Sequence, residues 1–122
     1  VTDFDPPDAK HFLHILLLET EQAIGQIEAF GAAGLADALL VGSGDLAVSM
    51  GLSRRGDHAR IRELSFEMLE RSRRAGVSAG APVERYGVQA TFAAGGNFVV
   101  MFTRDLLGKA IKEQCAALGE SV

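Results

Sequence analysis

Apolar and polar positions along the chain fall into a repeating pattern, in which a short continuous apolar run is followed by a longer segment with helical spacing. Continuous apolar runs of about four to eight residues are typical of strands that are buried on both faces of a sheet. Four such runs occur in this chain. We therefore predict strands at Phe12–Leu18, Ala38–Val41, Val77–Ala81 and Asn97–Phe102.

The segments between the runs carry apolar residues three or four positions apart, which predicts one amphipathic face on each helix. These positions are Ala23, Ile24, Ile27 and Phe30, then Ile61, Leu64, Met68 and Leu69, then Val88 and Phe92, and finally Leu107, Ala110, Ile111 and Leu118. Glycines end two of these segments, at Gly31 and Gly34 and at Gly76. Asp57 is the predicted N-cap of the second segment, and a short helical turn is expected at Gly44–Asp45.

The resulting order is βαβαβαβα, which favours a parallel sheet covered by helices. Four such units amount to roughly half of a (β/α)8 barrel of about 250 residues. A flavodoxin-like open sheet is the alternative, although that fold usually has a fifth strand. We predict a single domain over residues 1–122, with a connector at 1–11 and four βα units at 12–118.

Composition narrows the classes of partner. The 122-residue chain has a net charge of −4, which gives no electrostatic reason to bind nucleic acid or an anionic membrane. No apolar stretch is long enough to span a bilayer. Cys115 is the single cysteine, so the cysteine count fits a cytoplasmic location. The chain begins with Val rather than Met, and we expect a piece of a longer protein.

Two acidic residues occur where α/β proteins place their functional groups, after the carboxyl ends of strands. Glu19 directly follows the first run, and Asp45 follows the second run after Gly42-Ser43-Gly44. Neighbouring parallel strands lie about 4.8 Å apart, so both carboxylates are expected to reach one Mg²⁺ or Mn²⁺ ion. The structural alternative is that Glu19 begins a helix and that Asp45 caps the next one.

The residues around these acids resemble a known family. The stretches Leu18-Glu19-Thr20-Glu21-Gln22-Ala23 and Gly42-Ser43-Gly44-Asp45-Leu46-Ala47-Val48-Ser49-Met50-Gly51 are similar to the HpcH/HpaI aldolase and citrate lyase family. In that family a strand-end Glu opens a helix, and a GP-x-DL-[SA] signature supplies a metal-binding Asp. Further along, His58, Ala75-Gly76 and the run from Gly95 to Val100 also resemble it, so that the likeness covers about residues 12–118.

The resemblance implies that this chain is the C-terminal half of a TIM barrel, a metal-dependent lyase that makes or breaks a carbon–carbon bond next to a 2-oxo acid such as pyruvate. Glu19 and Asp45 would bind the metal, which would hold the substrate and stabilise the enolate. Backbone N–H groups of Gly44 and Asp45, together with Ser43, would bind the substrate carboxylate. The expected partner is the missing N-terminal half or further copies in a homo-oligomer.

The sequence departs from the family pattern in three ways. Ser43 stands where the family usually has Pro, and Leu17 stands where it has Gln. The third departure is larger, because the first four βα units of the family are absent from this sequence. In the family, those units carry the histidine–aspartate base and the substrate-binding arginine. The histidines of this chain, His11, His14 and His58, are expected to be structural or solvated, so no general base is predicted here.

Two other interpretations remain open. A half barrel without a base fits a non-catalytic remnant that acts as an assembly or interaction module. In addition, Gly42-Ser43-Gly44-Asp45-Leu46-Ala47 matches the G-x-G-x-x-A pattern of a dinucleotide-binding domain. Asp45 would then face a pyrophosphate, and the acids about 20 residues further on, Glu63 and Glu67, are predicted inside a helix rather than at a strand end.

Overall fold

A computed structural model describes residues 12–53 and 55–119 of the chain. Within these residues the strands are β1 (Ile15–Leu18), β2 (Ala38–Val41), β3 (Ser78–Pro82) and β4 (Phe98–Val100). The helices are α1 (Glu21–Ile24), α2 (Ile27–Ala33), α3 (Ser43–Ser49), α4 (His58–Arg74), α5 (Val83–Tyr86), α6 (Val88–Ala93) and α7 (Thr103–Ala117). The predicted alternation of strands and helices is therefore confirmed. The predicted connector at 1–11 lies outside the described residues.

The four strands form one parallel sheet in the order β1-β2-β3-β4, so each strand pairs with the next one along the chain. A doubly wound sheet reverses direction at a switch point and brings non-consecutive strands together. A barrel sheet instead adds its strands in sequence and keeps the helices on one face. The strand order thus agrees with part of a (β/α)8 barrel rather than with a flavodoxin-like or dinucleotide-binding sheet.

The core lies between the sheet and the helices α2, α3 and α4. Leu39 of β2 and Ala81 of β3 are almost fully buried there. The apolar face that was predicted for α4 is confirmed, because its members are all buried: Ile61, Leu64, Met68 and Leu69. Asp57 is the N-cap of this helix, although its carboxylate accepts a hydrogen bond from the backbone N–H of Ser53 rather than from the helix (2.7 Å).

Two of the predicted helices are interrupted. The first divides into α1 and α2, since Gly25 ends α1 and the N–H of Gln26 bonds back to the carbonyl of Ala23. Gly31 does not end this segment but lies inside α2, which closes at Gly34 in the left-handed conformation (φ 61°). The helix predicted around Val88 is likewise preceded by a separate turn, α5, because Gly87 breaks the path with φ 76°.

The first predicted strand is shorter and less buried than its sequence indicated. β1 covers Ile15–Leu18, and its side chains alternate between the two faces of the sheet. Leu18 is 2% exposed on the helix-covered face, whereas Leu17 is 50% exposed on the opposite face. Helices of the described chain do not cover that second face, which corresponds to the interior of a barrel. The apolar run is therefore explained by a barrel interior that these residues only partly enclose.

The last helix, α7, carries three of the four predicted apolar positions, with Leu118 as its C-cap, but buries none of its residues against the described chain. Its side chains at Leu106, Leu107 and Ile111 are each about half exposed or more.

None of the helices in residues 12–53 and 55–119 combines the length and the apolar character that crossing a membrane requires.

Candidate functional site

A cleft of about 420 Å³ lies at the carboxyl ends of the strands, beside the face of the sheet that the helices leave open. Its walls come from the ends of all four strands and from the residues that follow them. The lining residues are Leu17, Glu19, Leu40, Val41, Gly42, Ser43, Gly44, Asp45, Pro82, Arg85, Val100, Phe102, Arg104 and Asp105. Ligand sites of parallel α/β proteins occupy this end of the sheet.

Glu19 is the first residue after β1 and is partly buried. It does not begin or cap the following helix, because Thr20 is the N-cap of α1 and its hydroxyl accepts a hydrogen bond from the N–H of Ala23 (3.1 Å). The neighbouring Thr20, and not Glu19, therefore caps the start of α1. Glu19 remains as a carboxylate at the edge of the cleft.

Asp45 lies in the first turn of α3 and its side chain is exposed. The N-cap of α3 is Gly42, whose carbonyl accepts the hydrogen bond from the N–H of Leu46 (3.0 Å). Asp45 is therefore not the capping residue of this helix. Ser43 and Gly44 line the cleft beside it, but Ser43 is only 3% exposed, so little of its side chain is accessible to a ligand.

The two carboxylates are brought to the same cleft by the pairing of β1 with β2. Leu18 pairs with Val41, and the N–H of Gly42 donates to the carbonyl of Leu18 (2.8 Å), which places Glu19 beside Gly42. A Cβ on Gly42 would stand only 2.9 Å from the Cβ of Glu19. The strand ends therefore approach each other closely at this point, and the approach depends on a residue without a side chain.

The donor set fits a hard divalent cation. Carboxylate oxygens are the ligands that Mg²⁺ and Mn²⁺ prefer, and catalytic Mg²⁺ is commonly held by one or two carboxylates together with water and substrate oxygens. Within residues 12–53 and 55–119, no group of three His, Cys, Asp or Glu side chains is placed to hold a metal. Glu19 and Asp45 would accordingly leave most of an octahedral shell open.

Two arginines and one further acid, none of which was predicted from the sequence, also line the cleft. Arg85 follows β3 by three residues, and Arg104 and Asp105 follow β4 by four and five. The rule that selected Glu19 and Asp45, namely charged residues just after strand ends, also applies to these positions. The sequence did not predict them, because β3 is a weak apolar run and because β4 ends two residues earlier than expected, so the strand ends were not correctly located.

The histidines of the described chain lie outside the lining of this cleft. His14 precedes β1, where its backbone N–H donates to the carboxylate of Asp37 (2.8 Å), and His58 begins α4 with an exposed side chain. His11 lies outside the described residues. Leu17 does line the cleft and presents an apolar side chain to it. No histidine base is therefore present among the described residues that line the cleft.

The dinucleotide-binding interpretation finds no support in the structure. Glu63 and Glu67 both lie inside α4 rather than at the end of a strand. Gly42 and Gly44 also have no positive φ, although the tight turn of a dinucleotide-binding loop commonly uses that conformation. The glycines instead permit the close approach of β2 to Glu19.

Several solved structures share the fold of this chain. An HpcH/HpaI aldolase from Desulfitobacterium hafniense DCB-2 has a TM-score of 0.68 and 18% identity, over 99% of this chain and 51% of its own. An HpcH/HpaI aldolase/citrate lyase family protein from Burkholderia cenocepacia J2315 has a TM-score of 0.64 and 23% identity, over 87% of this chain and 42% of its own. The citrate synthase SbnG has a TM-score of 0.67 and 15% identity, over 90% of this chain and 46% of its own.

This chain thus spans about half the length of the structures that it resembles. In sequence, neither a family model nor a curated protein matches it. The two HpcH/HpaI structures are TIM barrels, and they agree with the sequential parallel sheet described above. The chain therefore has the fold of the HpcH/HpaI aldolase/citrate lyase proteins, over roughly half of their (β/α)8 barrel.

Proposed function

We propose that the protein containing this chain is a carbon–carbon lyase that acts on 2-oxo acids and depends on Mg²⁺ or Mn²⁺. One observation carries the proposal: Glu19 and Asp45, which follow neighbouring strands, line a single cleft at the carboxyl end of the sheet. The alternative roles of these two residues in starting and capping helices are filled by Thr20 and Gly42. The structures with the same fold include proteins named aldolase and citrate lyase.

In this proposal Glu19 and Asp45 hold the cation at the ends of β1 and β2. When bound, the cation supplies a Lewis acid that polarises the oxo group of the substrate. The backbone of Gly44 and Asp45 contacts the substrate carboxylate, beside Ser43, whose side chain is largely buried. The apolar wall that includes Leu17 and Leu40 limits the access of water to the reacting carbons.

The proton transfers of the reaction require a base, and we propose that it comes from outside this chain. No histidine lines the cleft within the described residues, and the chain spans about half of its structural relatives. The site is then completed by the remainder of the protein or by another copy in a homo-oligomer. Cys115 is a free thiol, in keeping with the proposed cytoplasmic location.

Mn²⁺ binding by the full-length protein tests the proposal, with Glu19→Ala, Asp45→Ala and Asp45→Asn compared against the exposed α4 variant Glu63→Gln as a control. Removal of an outer-shell partner typically lowers metal affinity by about 10- to 100-fold, so loss of a carboxylate ligand is expected to cost at least as much. Metal-dependent cleavage of a 4-hydroxy-2-oxo acid is expected to be lost as well.

Asp45→Asn is the most informative of these variants, because it keeps the size of the side chain and removes only the negative charge. The thermal midpoint measured without metal is expected to stay near that of the unmodified protein. If instead the midpoint collapses while Mn²⁺ affinity is unchanged, Asp45 has a structural role and the lyase proposal loses its main support.

A non-catalytic assembly module is the second candidate, favoured by the absence of a base from the described part of the cleft and by the exposed apolar side chains of α7. Full-length protein that binds no Mn²⁺ and cleaves no 2-oxo acid, yet still associates through this chain, would support that function over the lyase.

A further inference from the structure

A hydroxyl on α3 holds the first turn of α1. The backbone N–H of Glu21 donates a hydrogen bond to Oγ of Ser49 (3.1 Å), although the two residues lie 28 positions apart along the chain. Glu21 is the first residue of α1, and its N–H is one of the groups at a helix start that the helix itself cannot bond. The N-cap, Thr20, serves the N–H of Ala23 instead. Ser49 therefore supplies a link between α1 and α3 that lies outside the sheet.

Both ends of this link lie close in sequence to a proposed metal carboxylate. Glu21 comes two residues after Glu19. Ser49 comes four residues after Asp45 on α3, which is about one helical turn along the same side of the helix. The close approach of Gly42 to β1 supplies a second connection between the same two segments. The segments that carry the two carboxylates are thus tied together at two points.

Burial contributes little to the position of α1. None of its four residues is buried against the part of the chain that the structure describes, and Ala23 and Ile24 pack only partly against the core. Because a helix of a single turn has little stability of its own, its position depends on what it is attached to. Loss of the Ser49 hydroxyl would leave the N–H of Glu21 to water and would allow the segment after β1 to shift.

We propose that Ser49 is a positioning residue, which sets the separation of Glu19 and Asp45 and thereby the size of the cation that the cleft accepts. This inference rests on the proposed metal site. Mg²⁺ requires nearly octahedral geometry with oxygens at about 2.1 Å, whereas Ca²⁺ accepts oxygens at about 2.3–2.6 Å in flexible arrangements. A firm link between the segments that carry the carboxylates favours the smaller ion, and a loosened link favours Ca²⁺.

Cation binding by the full-length protein is the direct test, with bound Mn²⁺ followed by electron paramagnetic resonance and with Mg²⁺ and Ca²⁺ as competitors. Ser49→Ala is expected to weaken Mg²⁺ binding about threefold to tenfold, the range typical of one hydrogen bond, and to weaken Ca²⁺ binding less. Ser49→Thr keeps the hydroxyl and should bind both ions like the unmodified protein. Ser53→Ala is the matched control, because Oγ of Ser53 accepts the backbone N–H of Gly56 within a local turn (3.0 Å), and it should leave both affinities unchanged.

Amide hydrogen exchange in the metal-free protein separates positioning from a general loss of stability. Ser49→Ala should speed exchange at Glu21 and also at Gly42, whose N–H bonds to the end of β1. Exchange at Asn97 should stay unchanged, since its N–H bonds to the carbonyl of Ala79 (2.8 Å), between β3 and β4.

The combined results distinguish the positioning role from the lyase proposal. If Ser49→Ala speeds exchange at Gly42 but not at Asn97, and the unmodified protein binds no cation, the lyase proposal fails and the positioning of the two carboxylates stands. Equal weakening of Mg²⁺ and Ca²⁺ together with faster exchange at Asn97 would mean a general loss of stability and would overturn the positioning role. Unchanged exchange at Gly42 would also overturn it in a protein whose cation binding is absent or is unaffected by Ser49→Ala.

Discussion

The backbone of Gly42 lies directly against the side chain of Glu19. An added Cβ on Gly42 would come within 2.9 Å of the Glu19 Cβ and within 3.2 Å of the carbonyl oxygen of Leu18, which already accepts the N–H of Gly42. The orientation of the Glu19 carboxylate therefore depends on the missing side chain one strand away. This contact links the packing of two neighbouring strands to the proposed metal site.

Gly42→Ala is expected to displace Glu19 and to lower Mn²⁺ affinity about tenfold or more, since ligands must be held within a few tenths of an ångström of the preferred geometry. The φ of Gly42 is −92°, which alanine adopts without strain, so the effect would come from the contact and not from the backbone conformation. Mn²⁺ titration of the full-length variant measures it. Unchanged affinity would mean that the carboxylate does not need its present position.

A second glycine is required by the sheet itself. A Cβ on Gly80 of β3 would approach the carbonyl oxygen of Phe98 to 2.5 Å and the ring of Phe98 to 2.6 Å. Gly80→Ala is expected to lower the free energy of unfolding by about 1–3 kcal/mol, as overpacking commonly does. Chemical denaturation measures the change.

Two further variants sharpen that prediction. Combining Gly80→Ala with Phe98→Leu should rescue only part of the loss, because the backbone oxygen of Phe98 stays in place. Gly108→Ala on α7 is the matched control, since nothing lies within 4 Å of its added Cβ. In a helix this change is expected to stabilise by up to about 1 kcal/mol. Equal destabilisation at both glycines would contradict the role assigned to Phe98.

The ion pair between α2 and α4 is expected to make stability sensitive to acid. Arg71 donates two hydrogen bonds to the carboxylate of Glu28, at 2.9 and 2.7 Å, and these bonds are the main reason that the pKa of Glu28 falls from 4.5 to about 2. A lowered pKa stabilises the folded state fully above the unfolded value of about 4.5, and this contribution is lost as the pH falls towards 2. The pair is solvent-accessible, so screening by salt and water limits its contribution.

Thermal midpoints measured from pH 7 to pH 2 test this expectation. Glu28→Gln should lower the midpoint at pH 7 and should flatten its decline between about pH 4.5 and pH 2. Glu63→Gln, which removes a more exposed pair with Arg60 inside α4, is the control and should change neither. A steeper decline in Glu28→Gln than in the unmodified protein would contradict the assignment.

Exposed apolar side chains on the open face of the sheet and on α7 are expected to make copies of this chain associate. Ile15 and Leu17 on β1 are 43% and 50% exposed, and Leu107 and Ile111 on α7 are 58% and 57% exposed. Exposed apolar side chains and unpaired strand edges promote contacts with other chains. Residues 1–122 produced alone should self-associate at micromolar concentration in a sedimentation experiment, and a well-behaved monomer would count against the proposal that this chain works together with other barrel units.

The sequence predicted the elements that have a strong local signal. β2 has the predicted bounds at Ala38–Val41, and the apolar face of α4 is buried as its spacing indicated. The interruptions at Gly25 and Gly87 were missed, because helical spacing of apolar residues does not report a break in the backbone. The exposure of Leu17 was also missed, since an apolar run shows that a strand is suited to burial but not that the chain supplies the cover.

The site was predicted in part for a similar reason. Glu19 and Asp45 stand out because each follows a clear apolar run, and the structure brings both to one cleft. Arg85 follows a strand of small residues, Ser78–Pro82, whose weak pattern hid its position at the strand end. Which side chains share a cleft depends on strand order, and strand order is not visible in local spacing.

The sequential order of the strands has a further consequence for how this chain is made. In the described part of the chain, each strand after β1 pairs with the strand that was synthesised just before it. Paired residues lie 23, 40 and 18 positions apart along the chain, as in Ile15 with Ala38, Ala38 with Ser78 and Gly80 with Phe98, so each pairing closes one loop of moderate length. The sheet can accordingly assemble during translation in the direction of synthesis, with β1 as the template for β2 and each later strand joining the exposed edge of its predecessor.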